Sequence, residues 1–455
     1  MARQAIVAAA LALGVFLAGP AAAETLPEAL AKAYLNNPTL LAARAELRVV
    51  DEGVPQALSG WRPTVSATAE AGREWDDSET GSSGSAGGSD WQTPVSAALR
   101  LSQPIYRGGR TVAGTSQAEN LVRAQRAALL SVEQDVLLRA ATAYMDALRD
   151  EAVLQLTISN EQVLVRQLEA TQDRFTVGEI TRTDVAQSES RLARATALRI
   201  EAEGALTASR AIYREVIGDL PGALVSPDPL AGLPRSEAET VAGSADAPDL
   251  RAAEFTERAA RDGIDVAFGE LLPTVTLNGD VTTQDDVGSR NSQSDSASIA
   301  AQLVVPLYQA GAVASRVRAA KERVFQRRRE IDEQRRRAEQ QATGAWQNLE
   351  TARAQIVSFE SEVRATRIAL DGVRQEAEVG ARTVLDVLDA EQEALDAQVN
   401  LVTARRDEVV AGFQVLAAVG RLTARDLELA VEHYDSEEHY RAVRDKIWGV
   451  GPPVD

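Results

Sequence analysis

The chain is written twice. Shifted by 202 positions against itself, Pro104, Tyr106 and Gly109 fall on Pro306, Tyr308 and Gly311. At the same shift Val177, Gly178, Thr181, Asp184, Val185 and Glu189 fall on Val379, Gly380, Thr383, Asp386, Val387 and Glu391. Gly218 and Leu220 fall on Gly420 and Leu422, so the match runs for more than 110 residues without a gap. Upstream the shift is 210, with Pro38 on Pro248 and Pro63-Thr64-Val65 on Pro273-Thr274-Val275. The eight extra residues lie between Pro63 and Pro104, where the Gly/Ser tract from Ser78 to Ser89 reads as a flexible loop. A repeat on this scale means one structural unit built twice. The expected division is a first repeat at 24–220, a linker at 221–247, a second repeat at 248–422, and a segment and tail at 423–455.

Proline marks out the helices. None occurs between Pro104 and Pro221, or between Pro306 and Pro452. Proline breaks helix interiors, so both stretches can be helical throughout. Long helices are predicted over 110–174 and 312–376, each about 95 Å long at about 1.5 Å per residue. Helices over 182–217 and 384–420 follow them, with one over 28–59 ahead of the first strands. Ala195, Leu198, Ala202, Ala205, Ile212 and Val216 recur every three, four or seven residues, as do Val399, Val402, Val409, Phe413 and Leu416. These are coiled-coil seam positions. The helices at 28–59 and 182–217, laid end to end, match one long helix, which predicts a wall of two shorter helices stacked beside a long one.

Strands are predicted at about 63–75, 92–103, 273–283 and 296–306. Val95, Ala97, Leu99 and Leu101 alternate with Ser96, Arg100 and Ser102; Val275, Leu277 and Val281 alternate with Thr274, Thr276 and Asn278; Ile299, Ala301, Leu303 and Val305 repeat the pattern. About ten residues with one apolar and one polar face suit a transmembrane barrel. A soluble hairpin pair fits the alternation too. Four strands cannot close a barrel, and open edges cannot sit in lipid. If the strands cross a membrane, the chain assembles as at least a dimer, and symmetry favours a closed ring.

Other features set limits. Arg3, the apolar run Ala5 to Ala18 and Ala21-Ala22-Ala23 before Glu24 read as a signal peptide over 1–23. The absence of cysteine excludes disulfides, thiolate metal sites and an N-terminal lipidated cysteine. A net charge of −19 argues against nucleic acid as a partner. The Arg-rich run from Arg316 to Arg337 is interleaved with Glu322, Glu330, Asp332 and Glu333 and reads as a solvated helix face. Trp61, Trp75 and Trp91 flank the first strand pair and fit either an interfacial girdle or plain packing. His433 and His439 lie together in an acidic tail, so a charged tail is favoured over a metal site. No acid, base and nucleophile constellation is present, so neither an enzyme nor a cofactor is expected.

The stretches Gln103-Pro-Ile-Tyr-Arg-Gly-Gly109 and Val379-Gly-Ala-Arg-Thr-Val-Leu-Asp-Val-Leu-Asp-Ala390 carry a resemblance. The chain resembles the TolC family of outer-membrane efflux and type I secretion proteins from about Glu24 to Leu429, the second stretch being close to TolC itself. The resemblance implies a mixed α and β membrane protein and a homotrimer. A twelve-stranded β-barrel in the outer membrane would continue as a long periplasmic α-helical barrel. The duct would close at its lower end like an iris. It would open on docking, through a periplasmic adaptor (membrane fusion) protein, to an inner-membrane ABC or proton-driven pump. Cargo is left open between proteins and small toxic compounds. A soluble periplasmic coiled-coil scaffold and a passive porin are the alternatives; the first leaves the strands unexplained and the second the long helices.

The resemblance also places roles. Val177-Gly178 and Val379-Gly380 would be the tips that meet the adaptor. Asp386 and Asp389, three apart and on one helix face, would line the entrance as a ring of carboxylates. Arg382 would hold the closed state by bonding to the neighbouring tip at Thr183 and Asp184. The family's tyrosine in this latch falls on Ala377 here, so that hydroxyl is missing.

Overall fold

The computed structural model describes residues 24–77, 89–286 and 292–451. The expected signal peptide and all but the last residue of the Gly/Ser tract lie outside them. The chain enters through three short helices, α1 (Leu26–Asn36), α2 (Pro38–Asp51) and α3 (Gly53–Leu58), and a single 3-10 turn at Ser59–Trp61. The single helix expected over 28–59 is therefore broken. Pro38 has no N–H to continue α1, and Asn37 leaves the helix with ψ 122°. The Asn37 side-chain oxygen then accepts from Thr39 N at 2.9 Å to start α2. Its amide donates to Val216 O at 2.8 Å, so one residue ends one helix, begins a second and ties down a third.

The strands β1 (Thr64–Ala71), β2 (Glu74–Asp77), β3 (Ser89–Gln92) and β4 (Val95–Arg107) follow. The two strands expected at 63–75 and 92–103 are thus each interrupted. Gly72 and Pro94 sit opposite one another at the break, and Gly72 N donates to Pro94 O at 2.9 Å. Beyond it β2 and β3 form a separate ribbon on which Trp75 and Trp91 pack edge to face at 5.3 Å. β4 runs past its expected end through a register shift between Pro104 and Tyr106, which accommodates the missing proline N–H.

Next come α4 (Arg110–Thr176), α5 (Arg182–Ile217), α6 (Glu237–Gly243) and α7 (Pro248–Phe268), then β5 (Thr274–Asp285), β6 (Gln293–Val304), α8 (Ala312–Glu378), α9 (Val384–Ala418) and α10 (Glu438–Val443). The main sheet is antiparallel with order β1-β4-β5-β6. Its polar face carries a cross-strand ladder: Ser102 donates to Asn278 at 3.0 Å, Asn278 bonds to Gln302, and Ser298 bonds to Asp280. Its other face carries Val65, Leu99, Leu101, Val281 and Ile299, all solvent-exposed in the single chain.

Helices α4 and α8 have 67 residues each, about 100 Å. α5 packs along one part of α4 and α1–α3 along the rest; α9 and α7 do the same for α8. α7 and α9 both bridge α4 to α8. The wall of stacked short helices inferred from lengths is the arrangement observed. Where the stacks meet, Leu30, Leu47, Leu137, Tyr144, Tyr213, Phe413 and Leu422 form the principal core. The linker and the tail close over it with Leu230, Leu233, Leu427 and Tyr434. Among the described residues no helix is long and apolar enough to cross a membrane.

Candidate functional site: the two helix tips

At the end farthest from the sheet, α4 turns into α5 and α8 into α9 by the same device. α4 ends at Val177, and Gly178 adopts φ +81°. Gly178 N donates to Phe175 O at 3.0 Å, and Glu179 N to Arg174 O at 3.0 Å. The second tip repeats this: Gly380 has φ +78°, Gly380 N donates to Ala377 O at 3.1 Å, and Ala381 N to Glu376 O at 2.8 Å. Both are Schellman ends, whose left-handed residue is glycine because a Cβ is strained there. A Cβ at either position would meet nothing within 4 Å, so both glycines stand in open space. Val177 and Val379 beside them are 71% and 81% exposed, which is unusual for valine and marks both tips as apolar points.

The following helices also begin alike. Thr181 Oγ accepts from Asp184 N at 3.4 Å while Thr181 N donates to Asp184 Oδ2 at 2.9 Å. Thr383 Oγ accepts from Asp386 N at 3.2 Å while Thr383 N donates to Asp386 Oδ2 at 2.9 Å. Each pair is a capping box with aspartate in the glutamate position. The bonds from Thr181, side chain then backbone, hold the Asp184 carboxyl below the usual range. The Thr383 backbone and then its side chain do the same for Asp386.

Asp386 and Asp389 share the first turns of α9, as their spacing requires, but their carboxylates have different partners. Asp386 is folded back on its cap. Asp389 reaches across to Arg191 of α5. Beneath them Val384 and Leu388 are buried against Leu164, Leu192 and Ala195, so the second tip is bolted to the first coil by apolar packing as well as charge.

Arg382 donates to Glu376 Oε2 at 2.7 Å across its own turn. Within the chain it does not meet Thr183, which is exposed, or Asp184, which is engaged by Thr181. The first tip has a bracket of the opposite sense, Arg174 to Glu179 at 3.1 Å. Arg174 and Glu376 are twins in the repeat, so one turn is braced by a helix cation and the other by a helix anion.

The two capping boxes, Arg191 and Glu376 were missed in the sequence reading. The boxes had a signal, since Thr-x-x-Asp recurs at the repeat shift just after each Gly. Arg191 had none, because its partner is 198 residues away. His439, one of the two tail histidines, lies 3.0 Å from the buried Asp51 carboxylate. Burial pushes the Asp51 carboxyl up, opposed by the His439 bond. Among the described residues no cluster is arranged to hold a metal.

Comparison with known proteins agrees with this geometry. The family model described as outer membrane efflux protein matches residues 29–219 and 244–421. The outer membrane efflux protein BepC of Brucella suis is 35% identical, over 99% of this chain and 97% of its own. The outer membrane protein TolC of Vibrio cholerae is 27% identical, over 89% and 92%. Among solved structures, the CmeC outer membrane channel of Campylobacter jejuni superposes with a TM-score of 0.79 at 15% identity, covering 92% of this chain and 89% of that one. The polar and apolar sheet faces, the paired 67-residue helices and these matches converge: the chain belongs to the outer membrane efflux protein family.

Proposed function

We propose that three copies of this exit-duct subunit close into one channel, with a twelve-stranded barrel in the outer membrane above a ring of twelve helical strands in the periplasm. The observation that carries this is the sheet β1-β4-β5-β6, in which the outer edges of β1 and β6 pair with no other strand among the described residues. Such edges are untenable in lipid, and ring closure between copies pairs them. The passage of proteins or small toxic compounds through the ring is driven by an inner-membrane ABC or proton-driven pump reached through a periplasmic adaptor. Mass measurement of the purified protein in detergent tests the assembly: a trimer is expected, and a monomer that resists unfolding would contradict it.

The tips form the gate and the docking points in this reading. Gly178 and Gly380 lie open beside exposed Val177 and Val379, so a bulky substitution there blocks adaptor contact without disturbing the wall. Export is expected to fail while trimer level holds; normal export would remove the docking role. Asp386 and Asp389 from three copies make six carboxylates around the entrance, which attracts cations and repels anions. Arg382 latches a neighbouring tip at Thr183 and Asp184, in exchange with its own Glu376. With Ala377 in place of a tyrosine, that ionic contact carries the latch alone. Such exposed pairs are individually weak, but several around a ring bias a two-state gate. Arg382→Ser should raise the open fraction, and an unaltered conductance would dispose of the latch.

A further inference from the structure

The C-terminal tail is strapped to the wall along a rising line. Tyr434 N donates to Tyr34 Oη at 3.0 Å, and Arg44 stacks on both rings at 4.5 and 5.0 Å. Higher up, His439 meets Asp51 at 3.0 Å, and Glu437 meets Arg126 at 3.1 Å. At the top, Arg62 Nη1 donates to Lys446 O at 2.9 Å. The partners climb from residue 34 through 51 to 62, and β1 begins at Thr64. The strap therefore delivers the residues after Lys446 to the foot of the barrel.

What it delivers is apolar and uncovered. Ile447 is 77% exposed, Trp448 88%, and Val450 wholly so. A polar strap that ends by holding tryptophan, isoleucine and valine in water is hard to account for. The same arrangement at a lipid boundary follows ordinary preferences, because tryptophan and long cationic side chains concentrate at membrane interfaces. Trp61, 38% exposed, stands at the same foot, three residues before β1 begins. The cations Arg62 and Lys446 flank these residues, Arg62 holding the Lys446 carbonyl and Lys446 Nζ donating to Gly451 O at 3.2 Å. The tail and the linker pack against the same core, Val431 and Tyr434 from the tail and Leu230 and Leu233 from the linker. On the lumen side such a strap, repeated in every copy, would narrow the duct; on the outer flank it faces the periplasmic leaflet.

We propose that residues 446–451 are a peripheral membrane anchor, in which Ile447, Trp448 and Val450 enter the headgroup region of the periplasmic leaflet while Lys446 and Arg62 engage lipid phosphate. The proposal rests on the barrel reading. It gives a chain without cysteine, and so without a cysteine-linked lipid, a second hold on the membrane.

The same absence of cysteine makes the test direct. Spin labels are placed singly by Trp448→Cys, by Ile299→Cys on the apolar face of β6, and by Asp445→Cys in the exposed strap. The full chain is reconstituted in phosphatidylethanolamine/phosphatidylglycerol vesicles. The ratio of oxygen to nickel-chelate accessibility reports depth at each site. The expected ratio at 448 is several-fold above that at 445 and below that at 299. A ratio at 448 equal to that at 445 overturns the anchor. A label at 448 shielded from both reagents overturns it too, because another protein surface then covers the segment. A water-like ratio at 299 overturns the barrel reading and the anchor with it, whereas a lipid-like 299 beside a water-like 448 removes the anchor alone.

Discussion

α4 and α8 are equivalent in the repeat, in length and in starting turn, yet they occupy different surroundings. Gly109 and Gly311 open them with the same φ of +77°. α4 runs through the middle of the chain, with Val136, Leu137, Ala140, Ala141 and Tyr144 fully enclosed. α8 runs along one edge and buries only Val313, Val324 and the run Ala338, Ala342, Ala345, Leu349 and Ala352, leaving Phe325, Val357 and Ile368 in solvent. On the opposite edge α5 leaves Ile200 and Ile212 exposed, and α2 leaves Val49. A duplicated unit therefore buries its apolar positions only where a neighbour exists, and the exposed sets at the two edges are those a ring of copies would bring together. The tips diverge in the same way. Their turns and caps are equivalent, but the second adds Val384, Leu388 and Asp389 where the first has Arg182, Ala186 and Gln187.

The largest contrast lies in the core. Phe413 is buried, while its twin Ala211 is exposed. Phe413→Ala should cost about 3–5 kcal/mol, against less than about 0.5 kcal/mol for Ala211→Ser, measured by denaturant unfolding in detergent. Comparable losses would mean that the repeats are packed alike. At the turns the twins should behave identically. Gly178→Ala and Gly380→Ala each place a Cβ in open space on a left-handed backbone, so each should cost about 1–2 kcal/mol from backbone strain alone. A markedly unequal pair would show that one tip is restrained by something outside its turn. Thr181→Ala and Thr383→Ala should each cost about 1 kcal/mol, seen as faster amide exchange in the first turn of α5 or α9 and nowhere else.

Acid should act on both caps together. The Asp184 and Asp386 carboxyls are held below their ordinary range, so the stabilisation they bring is present above the ordinary carboxylate pKa. It is lost as pH falls through the lowered values. Amide exchange at both helix starts should therefore quicken in one common acid window. Fraying of α9 alone at higher pH would indicate that Asp386 is loaded by neighbouring carboxylates in a way that Asp184 is not.

Much of this was readable from the chain. α5 spans its expected residues, and the ends of α4, α8 and α9 fall within two residues of expectation, because glycine and proline enforce backbone limits that tertiary contacts seldom override. The break at Asn37 was equally local, and Asn-Pro announces it, but apolar periodicity runs on through it. The interruption at Gly72 and Pro94 needs the two strands paired before it becomes visible. At the tips the aspartates were legible as residues and not as partners: Asp386 by its cap, Asp389 by an arginine in the other repeat. Asp51 and His439 are 388 residues apart, and nothing local announces their meeting.

The second tip is where the repeats differ most usefully, since Asp389 stands opposite Gln187 in the alignment of halves. Single-channel conductance in a planar bilayer, comparing the native chain with Asp389→Gln and with Asp386→Ala/Asp389→Ala, tests the account most directly. The expected result is a small, cation-preferring conductance blocked by multivalent cations, with block weakened by the single change and abolished by the double. A pore whose selectivity and block ignore both variants would contradict an acidic entrance at the second tip.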